Sequence, residues 1–352
     1  MFDMNKELEE YAHDSSIAWD ALAGKTVLVT GATGFVGSCL VRLLVARNKL
    51  FGANVRVIAP VRNIAKGQEL FGVAAGKDVR LVAITDIADI AQLDIPADYL
   101  IHTACPTASR TFVEKPVETI ASIVNGTQAT LEYARKQQVS SYVYVSSMEV
   151  YGTGSADPNG APLTPADMGS VNPLSVRSSY PEGKRMAECL CCAYASEYKV
   201  PVKIVRLAQT FGPGVPANDN RVFMQFARSA MTGNDIILKT TGESTSMYCY
   251  TLDAATALLQ VLLRGEMGAV YNVANKDSRS SIRQMAQMVA DECAGGQIHV
   301  VVDVDENAPY PPEHHLALDT SAIRALGWKP RVSLVQMYHN LIAYLEGCQE
   351  GR

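Results

Sequence analysis

Long apolar runs are missing from this 352-residue sequence, and none approaches the ~20 residues needed to cross a bilayer. Charge is scarce and nearly balanced, 31 Lys and Arg against 36 Asp and Glu, so the net −5 offers no general attraction to nucleic acid or an anionic membrane. The eight cysteines lack the paired spacing of a zinc site, and no other metal-ligand cluster stands out. Cys189, Cys191 and Cys192 crowd one predicted helix and cannot build a disulfide framework. They read as reduced thiols packed as small hydrophobes, which fits a cytoplasmic protein. Residues 1–20 are charged and broken up and do not read as a signal peptide. What remains is an ordinary soluble composition, 48% hydrophobic and 19% charged, in a chain long enough to bury a large core.

What is present is an alternation. A polar leader, 1–24, carries a short helix near 5–12, with Trp19 and Leu22 as anchors. Thr26-Val27-Leu28-Val29-Thr30 reads as a buried strand that runs into Gly31-Ala32-Thr33-Gly34-Phe35-Val36-Gly37 and a helix. Strand, glycine turn and helix stand in the order a dinucleotide site requires. Gly31 permits the tight turn, Gly34 the approach of the pyrophosphate to the helix N-terminus, and Gly37 close packing of helix on strand. Further strands are expected at 55–59, 79–83, 98–104, 142–146 and 201–206, with helices between them. That order predicts a Rossmann-type, doubly wound parallel sheet. His102, inside an apolar strand, reads as a core histidine.

The second strand should end near the adenosine ribose, where an acidic residue would hold the 2′-hydroxyl of NAD. Ala59-Pro60-Val61-Arg62 stands there instead. Arg62 either meets a 2′-phosphate or adenine, or is a solvated loop arginine, so NAD and NADP both stay open. Asp86 and Ile87, beyond the third strand, are placed to reach the adenine. Thr103 and Ala104 lead into a loop of small residues over which a cofactor can pass.

Tyr180 and Lys184 are four apart, on one face of a predicted helix whose other apolar face is Met186, Leu190, Ala193 and Tyr194. An ammonium near a phenol, with a cationic nicotinamide beside it, lowers the phenol pKa. The tyrosine can then take a proton from an alcohol while hydride leaves the carbon. Ser147, at the carboxyl end of the fifth strand, can bond the reacting hydroxyl, with the Glu149 carboxylate beside it.

The glycine turn, Ser147-x-x-x-Tyr151-Gly152, Tyr180-x-x-x-Lys184 and Thr210-Phe211-Gly212-Pro213 together resemble the extended short-chain dehydrogenase/reductase family. More narrowly, the chain looks like its nucleotide-sugar epimerase, dehydratase and decarboxylase branch. Asn172-Pro173, Arg177, Tyr180 with Glu182-Gly183-Lys184-Arg185, and Asn218-Asp219-x-Arg221-Val222 are most similar to UDP-glucuronate decarboxylases. The resemblance implies Tyr180 as the base in transient oxidation at C4 of a nucleotide sugar. Lys184 and Ser147 would assist it and NAD(H) would stay tightly bound. It places Cys105, Arg177, Gln209, Arg221, Val222 and Tyr250 around the substrate. It also implies a homodimer through helices 117–137 and 181–198.

Three positions depart from the pattern. Met148 stands where 4,6-dehydratases have an Asp, which disfavours that dehydration. Ser246 stands where decarboxylases have an arginine, which weakens the case for a glucuronate carboxylate. Gln209 replaces an asparagine. The expected organisation is an extension (1–24), a dinucleotide-binding domain (25–206 plus 244–275) and a smaller α/β substrate lobe (207–243 plus 276–347). The expected function is an NAD(P)-dependent epimerase or decarboxylase of nucleotide sugars. An NADP-dependent carbonyl reductase and a non-catalytic cofactor-binding protein are the alternatives.

Overall fold

The computed structural model describes residues 2–107, 109–153, 159–305 and 313–350. Ala108 of the small-residue loop, part of the loop expected at 153–177 and most of the Pro/Glu-rich stretch before His314 lie outside them. Helix α1 (Met4–Ala12) precedes β1 (Thr26–Thr30), α2 (Phe35–Phe51), β2 (Arg56–Val61), α3 (Ile64–Phe71), β3 (Val79–Ala83) and β4 (Tyr99–His102). The short α4 (Ser109–Glu114) and long α5 (Pro116–Gln137) follow, then β5 (Ser141–Ser147), α6 (Ser179–Tyr198) and β6 (Val202–Leu207). Next come β7 (Gln209–Phe211), α7 (Val222–Thr232), β8 (Ile236–Leu238), β9 (Thr245–Tyr250), α8 (Thr251–Arg264) and β10 (Val270–Val273). The chain continues with β11 (Asn275–Ser281), α9 (Ile282–Met288), β12 (Val300–Val302), α10 (Ser321–Ala325) and α11 (Leu334–Glu350).

Seven strands form one parallel sheet in the order β10-β6-β5-β4-β1-β2-β3. The chain starts in the middle, moves to one edge through β2 and β3, then returns to the other side of β1 with β4. The order therefore reverses between β1 and β4, which opens a crevice at their carboxyl ends. The near-continuous apolar strands reflect burial on both faces. Val27, Val29, Val57, Leu40, Leu44 and Leu258 share the core on the α2 and α8 side. Leu28, Leu100, Tyr142, Leu131 and Cys191 share the core against α5 and α6. Helix α2 stops at Gly52, whose φ of +62° is the left-handed cap that glycine adopts without cost.

The remaining strands pair separately. β11, β9 and β7 make a three-stranded sheet and β12 and β8 a parallel pair. Strand β9, expected with the dinucleotide-binding domain, thus sits in the three-stranded sheet, while β10 returns to the edge of the main one.

The apolar face expected on α6 is buried only in part: Leu190 and Tyr194 pack against the core half-buried. Ala187, Cys191 and Ala195 face the core, whereas Met186 is 53% exposed and Ala193 is exposed. Ile120 of α5 is also 45% exposed. Small residues let the helices approach: a Cβ on Gly183 would stand 3.1 Å from Ile123 Cδ1.

The leader is docked. Trp19 and Leu22 are buried, and α1 packs on α2 and α8. Tyr11 donates to Asp253 Oδ1 (2.7 Å), Tyr250 donates to Glu7 Oε1 (2.6 Å), and Asn340 reaches the same oxygen at 3.2 Å.

Candidate active site

The glycine turn owes its shape to side chains it does not have. Gly31 has φ +66°, and a Cβ there would stand 2.8 Å from the Ala104 nitrogen; a Cβ on Gly37 would stand 2.3 Å from the Gly31 carbonyl oxygen. Glycine at both positions lets α2 begin directly over the end of β1. Gly34 caps α2 without a side-chain bond, so the first-turn N–H groups face the crevice with no side chain across them. Thr103 Oγ1 donates to the Thr30 carbonyl at 2.7 Å and ties β4 to β1 at the same place.

A cavity of about 240 Å³ lies there. Gly31, Gly34, Phe35, Val36, Gly37, Thr103 and Ala104 line one part, and Cys105, Ser147, Glu149, Tyr180, Lys184, Gln209 and Arg221 another. The structure thus brings together most residues singled out in the sequence. A larger hollow of about 920 Å³ opens at the other end of the sheet, at Thr26 and Arg56, where β1 and β2 begin. Parallel sheets bind ligands at the carboxyl ends of their strands, so the smaller cavity is the candidate site.

Some expected residues stay outside the cavity wall. Thr33 and Val222 flank it, half-buried, without lining it, and Arg62 is exposed past β2. Asp86 accepts from the Ala88 N–H in a capping box, and Ile87 packs over Gly126. Tyr250, expected at the substrate, is fully buried with its hydroxyl on Glu7 and Asn340. The docking of α1 gives that phenol its partners, and they lie away from the cavity. His102 is a buried core residue: Thr30 Oγ1 lies 2.7 Å from its Nδ1, and burial pushes its pKa down to about 3.

Tyr180, Lys184 and Glu188 occupy successive turns of α6, and the last two hold β5. Lys184 Nζ donates to the Val145 carbonyl (2.8 Å) and Ser146 donates to Glu188 (2.6 Å), while Tyr180 and Ser147 line the cavity together. Glu188 in turn accepts two bonds from Arg206, at 3.0 and 2.7 Å, a buried pair that no short motif revealed.

The sequence expectation for Tyr180 included a nicotinamide cation beside the phenol; in the protein alone the phenol shifts the other way. Burial pushes the phenol well above its ordinary pKa, and Cys105 and Glu149 push the same way; Ser147 and Arg177 oppose them. Lys184 Nζ lies 5.8 Å from the Tyr180 ring centroid and is committed to Val145, so in the protein alone it does not depress the phenol. Desolvation likewise pushes up the half-buried Cys105 thiol, against the pull of Lys184. Phe112 of α4 stacks on Tyr180 with centroids 4.3 Å apart, a contact from a short helix whose role the sequence did not signal.

Arg177 is not among the residues that line the cavity; it donates to Glu149, which is, at 2.8 Å. Arg221 does line it, but its Nε and Nη2 grip Asp219 at 2.7 to 3.1 Å. Among the described residues no group of three or more His, Cys, Asp or Glu could hold a metal ion, and no helix is long and apolar enough to cross a membrane.

The profile of the NAD dependent epimerase/dehydratase family matches residues 27–274, more than half of the chain. The chain belongs to that family. A curated relative, UDP-glucuronic acid decarboxylase 6 of Arabidopsis thaliana, is 30% identical over 312 residues, covering 88% of this chain and 85% of the relative. Two solved structures share the fold. UDP-glucose 4-epimerase of Thermotoga maritima, with UDP-glucose, superposes with a TM-score of 0.76 at 20% identity, covering 92% of this chain and 99% of that one. UDP-glucuronic acid 4-epimerase of Bacillus cereus, with UDP-glucuronic acid and NAD, gives the same TM-score, identity and coverage. The resemblance drawn from the motifs, to the nucleotide-sugar branch of the extended short-chain family, is thereby upheld, as is the Rossmann-type fold.

Proposed function

We propose that this protein is an NAD-dependent enzyme that oxidises a nucleotide sugar transiently at C4, with an epimerase or decarboxylase outcome. The observation that carries this reading is the convergence of Tyr180, Ser147 and Lys184 with the glycine turn on one cavity. The uncapped first turn of α2 and the side-chain-free Gly31, Gly34 and Gly37 suit a pyrophosphate. NAD is favoured over NADP by membership of the NAD dependent epimerase/dehydratase family and by a structural neighbour solved with NAD. NAD, when bound, supplies a hydride acceptor and a positive charge beside the phenol.

The chain's residues do the rest. Lys184, fixed by the Val145 carbonyl, stands by to hold the nicotinamide ribose. Tyr180 takes the C4 hydroxyl proton and returns it, and Ser147 orients that hydroxyl. A phenol raised by burial is a poor base until a cation adjoins it, so proton transfer awaits a loaded site. Arg221 keeps its Nη1 edge for a diphosphate. Val117, Ile120, Met186 and Tyr198, exposed on α5 and α6, support a homodimer through these two helices.

The test is to denature purified protein, identify the released dinucleotide by mass, and compare Tyr180→Phe with wild type on UDP-, dTDP-, GDP- and CDP-sugars. The reading expects NAD and a loss of turnover of about 10²–10⁴-fold. Steady loss of NADPH absorbance with a simple carbonyl substrate would replace it with the reductase reading. Indifference to Tyr180→Phe would point to a non-catalytic protein.

A further inference from the structure

Helix α1 lies ahead of the stretch that the family profile matches, which begins at Val27. It nevertheless reaches a loop that ends on the cavity wall. Thr210 and Arg221 both line the cavity, and residues 211–220 join them. Gly212 and Gly214 of that loop take φ of +149° and +90° and have no side chains with which to pin the backbone they bend. Two contacts from the leader supply the pins. A Cβ on Gly214 would stand 3.8 Å from Met4 Cε, 3.8 Å from Phe35 Cε2 and 3.4 Å from Cys39 Sγ, so α1 and α2 together make the floor under that glycine. At Gly212 the floor is the ring of Tyr250, whose Cε2 would stand 2.7 Å from a Cβ there. The leader holds that ring by its hydroxyl, which donates to Glu7 Oε1 at 2.6 Å. Asn340 Nδ2 lies 3.0 Å from the same hydroxyl and 3.2 Å from the same Glu7 oxygen. Farther along the loop, Asp219 accepts from the Arg221 backbone N–H at 2.9 Å and grips its guanidinium. The contacts thus run from Met4 and Glu7, through Gly214 and Gly212, to Asp219 and Arg221 on the cavity wall.

We propose that Met4 and Glu7 are positioning residues: the leader helix braces loop 211–220 and thereby fixes Arg221 on the wall of the cavity. That the nucleotide end of a sugar substrate is what feels the brace rests on the reading that the cavity takes a nucleotide sugar. The dinucleotide end is built from other parts, the glycine turn and the Thr103 tie between β4 and β1. Loosening the brace at Glu7 therefore weakens the hold on a nucleoside diphosphate and leaves the dinucleotide in place.

The full chain, carrying its dinucleotide, is titrated calorimetrically with UDP, dTDP, GDP and CDP as wild type, Glu7→Leu, Tyr250→Phe and Glu7→Gln. Glu7→Leu removes the acceptor, Tyr250→Phe cuts the same bond from its other end, and Glu7→Gln keeps it. The expected result is that the first two bind the preferred diphosphate about five- to tenfold more weakly, while Glu7→Gln binds it as wild type does. The dinucleotide carried per chain should be the same in all four. Unchanged diphosphate affinity in Glu7→Leu and Tyr250→Phe overturns the proposal. Loss of dinucleotide in step with diphosphate affinity overturns it too, since a merely weakened fold gives that result. Hydrogen exchange followed by mass spectrometry reads the loop directly, whatever it binds. Amides of 211–220 should exchange about tenfold faster in Glu7→Leu than in wild type, and those of 26–30 at the wild-type rate. Unchanged exchange in 211–220 overturns the brace. If the wild type binds none of the four diphosphates, the nucleotide-sugar reading falls and the exchange rates alone decide the brace.

Discussion

Phe112 lies nearly parallel to Tyr180, with 13° between the rings, and Arg177 sits over its other face at 4.9 Å. A helix of six residues thus places an apolar lid on the phenol and keeps water from it. Phe112→Leu should fold and lose the stacking, lowering turnover about three- to tenfold. Phe112→Ala should also admit water to Tyr180 and shift the acidic limb of the pH–rate profile, which reports the base, to lower pH. An unmoved limb in a folded Phe112→Ala protein, checked by circular dichroism, would mean that the stack does not set the environment of the phenol.

The glycine turn makes a sharper prediction. Gly37→Ala puts a methyl 2.3 Å from the Gly31 carbonyl oxygen, a backbone atom that cannot swing aside. Gly52→Ala meets nothing within 4 Å but has φ +62°, so it is strained without crowding the site. The first variant should lose dinucleotide binding, measured by fluorescence titration. The second should bind normally and melt a few degrees lower.

The Glu188–Arg206 pair is buried on both sides, 10% and 5% exposed. Removing one partner strands the other's charge out of water. Arg206→Met should therefore destabilise the fold by about 3–5 kcal/mol. The double variant Glu188→Met, Arg206→Met should recover part of that loss. Urea melts of wild type, single and double variants check this, and equal stability of single and double would refute it.

Glu7 supplies a pH prediction. Burial raises its pKa from 4.5 to about 7, and its Oε2 has no hydrogen-bond partner. Asp253 nearby is raised to about 6. A raised carboxylate binds its proton more tightly folded than unfolded. Stability at this position is thus greatest below pH ~4.5, declines through the window up to about 7, and stays low above it. Glu7→Gln keeps an acceptor for Tyr250 and removes the charge. It should stabilise the protein by about 1–2 kcal/mol at pH 8 and by almost nothing near pH 4.5. Thermal melts at pH 5, 6.5 and 8 test the trend; a constant difference would assign the effect to packing instead.

Much of this site was legible because its parts are local. A strand, a glycine turn and a helix follow one another within residues 26–51, and Tyr180 and Lys184 share one helix face by spacing alone. Phe112, Arg206 and the partners of Tyr250 were not legible, because each is brought in from a distant segment by tertiary packing. Part of the α6 face was misread for a related reason: periodicity shows that a helix has an apolar stripe, not how much of it meets the sheet. The state of Tyr180 was hidden too, since burial, a property of the whole fold, outweighs the neighbour that spacing had suggested.

Two rungs join α6 to β5: Lys184 to the Val145 carbonyl and Ser146 to Glu188. With Arg206 braced against the second, helix and strand move as a single beam. A substrate seated against Tyr180 gets no slack from that side.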